Sequence, residues 1–357
     1  MANRATRPIF APVDIAEHER RLARGLVEAL PEPILIVADG RIVVSNDAAR
    51  AVLAGATEGA DVRLAIRHPA ALERLLGEDT AADEVALVGV GGPERRWALR
   101  VSPLSGGLRL VRLADRSDAH AAEQMRVDFV ANASHELRTP LATLVGYAET
   151  LREAGDEVDA ATRARFTAII HDEARRMQRL VEDLISLSRI EGEKFSPPGD
   201  AVDLAALLEE TGRAAANAAA QRGCRIAIEA PAGLPPVAGD RAQLLQLYDN
   251  LVANALRYGR SGGTVRISAA AHGEEVRTAV ADDGEGIAKE HIPRLTERFY
   301  RVDATRSRSA GGTGLGLAIV KHIVERHRGR LVIESEPGRG TIVTVTLPAA
   351  AAAGAPS

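Results

Sequence analysis

The chain has 357 residues, 46% hydrophobic and 26% charged, with a formal net charge of −4. That length predicts two or three domains at roughly 150 residues each, and the charge balance carries neither the basic footprint of a nucleic-acid binder nor a basic stretch for a membrane surface. One cysteine, Cys224, excludes a disulfide scaffold and a cysteine-rich metal site, and aromatics at 3% leave Leu, Val, Ile and Ala to fill the cores.

Residues 1–21 are polar, with Pro8 and Pro12, and read as a lead-in. No apolar run approaches the roughly 18 residues of a spanning helix, and the N-terminus lacks the apolar core of a signal peptide. The chain is therefore expected to carry no membrane segment and to be cytoplasmic, unless it derives from a longer, membrane-associated parent. Residues 22–116 are mixed α/β. Ile34 to Ala38 and Arg41 to Ser45 are strand-like runs around Asp39-Gly40, a strong hairpin signal. Short helices are predicted at Asp47 to Leu53 and Pro69 to Leu76, then strands at Glu84 to Val90, Arg95 to Ser102 and Leu108 to Leu113. This order of elements resembles a PAS sensor domain.

Over 117–194 the period becomes helical. Val127, Val130, Ser134, Leu137, Leu141, Leu144, Ala148 and Leu151 are spaced alternately 3 and 4, an a/d heptad seam. After a turn at Gly155-Asp156 and Asp159, a second seam runs through Phe166, Ile170, Met177, Leu180, Leu184 and Leu187. Two amphipathic helices in a hairpin cannot enclose a core alone, so a homodimer with a four-helix bundle is expected. Pro197-Pro198-Gly199 marks a linker, and 200–348 is again α/β. Strands are predicted at Thr264 to Ala270, Glu275 to Ala281, Leu331 to Ser335 and Thr341 to Leu347, and helices at Leu204 to Arg222, Arg241 to Tyr258 and Gly316 to His327. The Ala-rich tail 349–357 is expected to be disordered.

The chemistry concentrates in five strings. In Ser134-His135-Glu136-Leu137-Arg138-Thr139-Pro140-Leu141, Ser134 is an a position, so His135 sits at b and faces outward. An imidazole attacks a phosphoryl group through a ring nitrogen free of its proton. Glu136 can hold the other ring N–H and accept its proton, and Pro140 cannot donate to the carbonyl of Glu136, which loosens or bends the helix there. Asn250 and Asn254 share one helical face, extended by Arg257 and Tyr258; Asn254 supplies a hard amide oxygen suited to Mg²⁺. Asp282-Asp-Gly284-Glu-Gly286 follows a strand, where glycines admit a close ligand. Arg298-Phe-Tyr-Arg301 leads into an Arg/Ser-rich stretch with the build of a lid. Gly312-Thr313-Gly314-Leu315-Gly316 opens a helix, where backbone N–H groups reach phosphate oxygens. No strand leads directly into it and no βαβ unit follows, so it is not a dinucleotide fingerprint.

In this order the five strings resemble the boxes of sensor histidine kinases of two-component systems, over about Ala121 to Pro348. The run HIPRLTERFYRVD and the later TRSRSAGGTGLGLAIVKH look most like the phosphate-regulon sensor kinases. The resemblance implies a multidomain α+β chain. Its parts are the PAS-like domain, an antiparallel helical hairpin forming a dimeric four-helix bundle, and a C-terminal α/β sandwich of the GHKL ATPase type. It implies ATP and Mg²⁺ as cofactors, autophosphorylation on His135, acid/base work by Glu136, and transfer to an aspartate of a response regulator. It makes Thr139 the residue that positions water when the regulator is dephosphorylated. It assigns Asp282 to the adenine amino group, with Gly284 and Gly286 beside it. Arg301 and Arg306 would reach the γ-phosphate, Arg257 stands where the family often has Lys, and Thr341 after Gly338-Arg-Gly340 completes the set.

Overall fold

The computed structural model describes residues 24–77, 84–155, 158–193, 196–231, 233–303 and 312–350. The chain divides into two units, Met1–Asp128 and Phe129–Ser357. The lead-in, Arg306 and most of the tail lie outside the described residues.

In the first unit Asp39 and Gly40 both take positive φ, 48° and 74°, and close the expected hairpin between β1 (Ile34–Ala38) and β2 (Arg41–Ser45). With β3 (Val85–Val88), β4 (Arg96–Pro103) and β5 (Arg109–Asp115) they form one antiparallel sheet in the order β2-β1-β5-β4-β3. Helices α1 (Asp47–Val52), α2 (Val62–Ala65) and α3 (Pro69–Leu76) add Ala49, Val62 and Leu75 to a core shared with Leu35, Val37, Leu99 and Leu113. The sequence reading missed α2, whose four residues carry too little period to be seen. Asn46 is fully buried and ties the entry segment to the sheet. Its Oδ1 accepts from the amides of Ile34 at 3.0 Å and Ala49 at 2.9 Å, and its Nδ2 donates to the carbonyls of Val27, Leu30 and Glu32.

The helical region consists of α4 (Ser117–Ala154) and α5 (Ala160–Gly192), the latter capped by the Asp159 carboxylate on the Thr162 amide at 2.9 Å. Helix α4 continues through Pro140, which is buried.

The C-terminal sheet pairs β7 (Arg225–Glu229), β9 (Thr264–His272), β10 (Glu275–Asp282), β11 (Arg330–Glu336) and β12 (Gly340–Pro348) in the order β11-β12-β10-β9-β7, with β6 (Ala201–Val202) and β8 (Val237–Ala238) as a separate pair. Only β7 runs parallel to its neighbour, β9. Strand β7 was not expected from the sequence: the run Arg225-Ile-Ala-Ile-Glu229 is short and none of it is fully buried. Helices α6 (Leu204–Gln221), α7 (Arg241–Tyr258) and α8 (Gly316–Arg326) layer on this sheet. Val265, Ile267 and Val345 from the strands meet Leu207, Leu247, Leu251 and Ile319 from the helices in one buried cluster. This is a two-layer α/β sandwich.

Leu180, Leu187 and Ile190 of α5 belong to that same cluster. The C-terminal end of the second seam is therefore spent on packing within the chain. Leu141, Val145, Val181 and Ile185 remain exposed, the last at 64%.

Candidate active site

His135 is exposed on α4, as a b position requires. The expected contact of Glu136 with its ring does not form, because the carboxylate is turned to two arginines. Instead Glu136 accepts from Arg301 at 2.9 Å and lies 3.7 Å from Arg176 of α5. The Arg301 side chain is only 7% exposed, and its Nε is buried without a hydrogen-bond partner. The Thr139 hydroxyl donates to the His135 carbonyl at 3.3 Å. A cleft of about 340 Å³ opens between Asn132, His135 and Glu136 on one side and Arg298, Phe299 and Tyr300 on the other.

The 298–301 segment is held firmly. Phe299 has φ 63°, a left-handed conformation that costs a bulky residue on the order of 1–3 kcal/mol. It is kept there by its amide, which donates to the Gly314 carbonyl at 2.8 Å, and by its ring, 6.0 Å from that of Phe129. The Arg298 guanidinium lies over Phe129 at 5.1 Å and pairs with Glu191 of α5. The Tyr300 hydroxyl meets His291 Nδ1 at 2.7 Å.

Asn250, Asn254 and Arg257 follow one another along one face of α7, all half-buried. The Asp240 carboxylate starts this helix by accepting from the amides of Ala242 and Gln243. A Cβ placed on Gly316 would lie 3.0 Å from Asn250 Oδ1, so the start of α8 abuts the α7 face. Asp282 Oδ1 accepts from the Gly284 amide at 2.9 Å, and a Cβ on Gly284 would lie 2.3 Å from the Tyr258 carbonyl. Burial pushes the Asp282 carboxyl above its ordinary value, against backbone hydrogen bonds from Gly284 and Thr341. Thr341 is the cross-strand partner of Asp282, and Gly286 takes φ 69°. Gly314 has φ 75° and packs its α-carbon on Phe299, where a Cβ would lie 2.9 Å from the Phe299 α-carbon. Helix α8 has no side-chain cap at Leu315, and the first N–H groups of a helix, which lack intrahelical partners, suit an anion.

Residues 239–351 match the family described as histidine kinase-, DNA gyrase B-, and HSP90-like ATPase, and residues 125–193 match the His Kinase A (phospho-acceptor) domain. The phosphate regulon sensor protein PhoR of Pseudomonas aeruginosa is 37% identical over 314 residues, which cover 87% of this chain and 70% of PhoR. The chain belongs to the sensor histidine kinase family. Like its relatives in that family it is a protein-histidine kinase with an ATP-binding domain. The sensor-like histidine kinase SenX3 of Mycolicibacterium smegmatis is 41% identical over 67% of the kinase and 62% of SenX3. Among solved structures, histidine kinase AdeS of Acinetobacter baumannii covers 60% of this kinase and 98% of its own chain, with 25% identity and a TM-score of 0.50. The histidine kinase ThkA, solved in complex with the response regulator protein TrrA, has the same fold over 91% of this kinase and 98% of its own chain, with a TM-score of 0.52 at 19% identity.

Three residues of the kinase that shape the site carried no motif. Phe129, off the counted seam, and Glu191, beyond the end of the second one, both grip Arg298. Asp183 sits in the run Leu180-Val-Glu-Asp183-Leu184, where a charge beside two seam leucines reads as a flank. It is half-buried and accepts from the Thr313 hydroxyl at 2.8 Å, and burial pushes its carboxyl above its ordinary value. Among the described residues no helix is long and apolar enough to cross a membrane.

Proposed function

We propose that His135 is the phosphoacceptor and that Glu136 is its acid/base partner, in a reaction that ends on an aspartate of a response regulator. The observation that carries this reading is the exposure of His135 on a cleft whose other wall is the 298–300 segment. A free ring nitrogen of His135 forms the new N–P bond, and Glu136, once released by Arg301, takes the proton from the other nitrogen. The residues present fit a nucleotide: α8 opens without a side-chain cap, and the buried Arg301 Nε is a donor in want of an acceptor. Mg²⁺-ATP, when bound, supplies the transferred phosphoryl group and leaves as ADP. Asn254 would hold the Mg²⁺, with Asn250, Arg257, Tyr258, Thr313, Leu315 and the backbone at Gly312, Gly314 and Gly316 around the phosphates. Asp282, Gly284, Gly286 and Thr341 would hold the adenine end. Arg306 keeps its expected γ-phosphate role outside the described residues.

The same reading makes the kinase cytoplasmic and a homodimer, supported by the exposed stripe Leu141, Val145, Val181 and Ile185. The sheet order β2-β1-β5-β4-β3 supports a PAS-like sensor over about 22–116, and the likeness to PhoR supports a phosphate-linked stimulus. Thr139 would serve dephosphorylation of the regulator, a partner of the class that TrrA is for ThkA. The deciding experiment is labelling from γ-labelled ATP. His135→Ala should abolish acid-labile, alkali-stable label and leave ATP binding intact, and undiminished label would move the acceptor elsewhere.

A further inference from the structure

The Thr313 hydroxyl works in two directions at once. It donates to Asp183 Oδ2 at 2.8 Å and accepts from the Leu315 amide at 3.3 Å. Asp183 belongs to the helical hairpin, whereas Thr313 and Leu315 form the turn that opens α8. One carboxylate thus fastens the glycine-rich turn to α5. The charge of Arg257, a neighbour on the α7 face, also acts on Asp183. A second hairpin carboxylate, Glu136, takes Arg301 at 2.9 Å. Two groups assigned above to nucleotide phosphates, Thr313 and Arg301, therefore bond carboxylates of the hairpin.

A carboxylate and a phosphate seek the same partners, hydroxyl donors and guanidinium ions. Both anions cannot share Thr313 without repulsion in a half-buried site. We propose that Asp183 is a positioning residue of the nucleotide site: acting through Thr313, its carboxylate holds the 312–316 turn against the helical hairpin in competition with the nucleotide's phosphates. The inference rests on the assignment of that turn to ATP. Release of Asp183 by the phosphates would free the 312–316 turn from the hairpin.

The test compares Asp183→Asn with the unaltered kinase by equilibrium binding of ATP, ADP and adenosine. Asn keeps an acceptor for the Thr313 hydroxyl and removes only the charge. ATP and ADP should bind at least about fivefold tighter to the variant, the factor expected from removing one like charge at contact distance. Adenosine carries no phosphate and should bind unchanged. Equal shifts for ATP and adenosine, or no shift, would overturn the inference and leave Asp183 a structural tether. Failure of the unaltered kinase to bind ATP at all would overturn the nucleotide-site assignment first and this inference with it. Should Asp183→Asn not yield folded protein, Asp183→Ser, also neutral, supports the same comparison with the same outcomes.

Discussion

The Arg301 guanidinium donates to the Glu136 carboxylate at 2.9 Å across 165 residues of chain. The group assigned to the γ-phosphate and the group assigned to the proton of His135 thus neutralise each other. Neither can act while paired: the Glu136 oxygen is taken by the Arg301 N–H, and the Arg301 guanidinium is spent on a carboxylate in place of a phosphate. Glu136→Gln separates these effects. It should lower the rate of autophosphorylation roughly a hundredfold or more, the range of a lost general base, while ATP binds no more weakly because the negative charge that competes for Arg301 is gone. Single-turnover labelling and equilibrium ATP binding on one preparation check both halves; a variant that loses ATP affinity in step with rate would place Glu136 in nucleotide binding instead.

Asn254 stands one turn after Asn250 on α7, half-buried, with its neighbours Val252, Ala255 and Leu256 in the core. The backbone there is fixed by packing, so a change at Asn254 alters the side chain alone. Phosphoryl transfer is almost entirely positioning and charge stabilisation. Asn254→Ala should therefore slow autophosphorylation by roughly a hundredfold, as loss of one preorganised group does, with the melting temperature close to that of the unaltered kinase. A wild-type rate in a folded variant would remove Asn254 from the site.

Much of this site was legible because its motifs are local. Asn250, Asn254, Asp282 and the 312–316 turn each sit on an element whose period or turn chemistry shows in a few residues, and α7 was predicted with its observed ends. What stayed hidden is pairing at a distance. Nothing in the sequence near Glu136 names Arg301 as its partner, and nothing near Asp183 names Thr313. The heptad was read correctly as apolar, but periodicity cannot say which neighbour covers it. Leu180 and Leu187 joined the ATPase-domain core, while Val181 and Ile185, off the counted seam, stayed exposed. The parallel strand β7 was missed because burial in it is partial and its pattern weak.

Thr139 separates kinase from phosphatase chemistry. Its hydroxyl is exposed and bonds only the His135 carbonyl, at 3.3 Å. Such a back-bond contributes little to a helix, and Ala has the higher helix propensity. Thr139→Ala should leave helicity and labelling of His135 near normal and slow dephosphorylation of the regulator. Measuring both rates on one variant decides the matter: a proportional fall in the two would mean that the substitution acts on the helix and not on a water.

His327 links stability to pH. It is 2% exposed, its Nδ1 donates to the Ile323 carbonyl at 2.7 Å, and its Nε2 accepts from the Asp240 amide at 3.0 Å. Both nitrogens are used by the neutral ring. Burial lowers its pKa below the ordinary 6.5, against the Ile323 hydrogen bond. A group whose charged form is disfavoured on folding binds its proton more readily in the unfolded chain. Stability from the neutral ring is thus present above about pH 6.5 and declines as the pH falls below it. The charges of Arg326 and Asp240 act on the ring in opposite directions. The melting temperature should drop between about pH 6.5 and 5, and His327→Gln should flatten that drop while lowering stability at neutral pH. An unchanged slope in the variant would assign the acid sensitivity to other groups.

The exposed stripe on the hairpin carries the last prediction. Leu141 and Val145 on α4 and Val181 and Ile185 on α5 are 50%, 47%, 42% and 64% exposed. Covering side chains of this size is worth about 1.5–3 kcal/mol each when complete, so a second hairpin laid on the stripe gains enough to hold a dimer. Ile185 is the most exposed of the four and does not contribute to the buried core. A charge there would be solvated in the monomer and desolvated in the dimer, which directs its cost to assembly and not to folding. Ile185→Glu should convert the dimer to a monomer by light scattering at micromolar concentration, with the melting transition of the ATP-binding domain retained. ATP binding should survive, since no residue assigned to the nucleotide lies on the stripe. A variant that remains dimeric would show that the two hairpins meet on another face, and one that fails to fold would show that Ile185 supports the single chain.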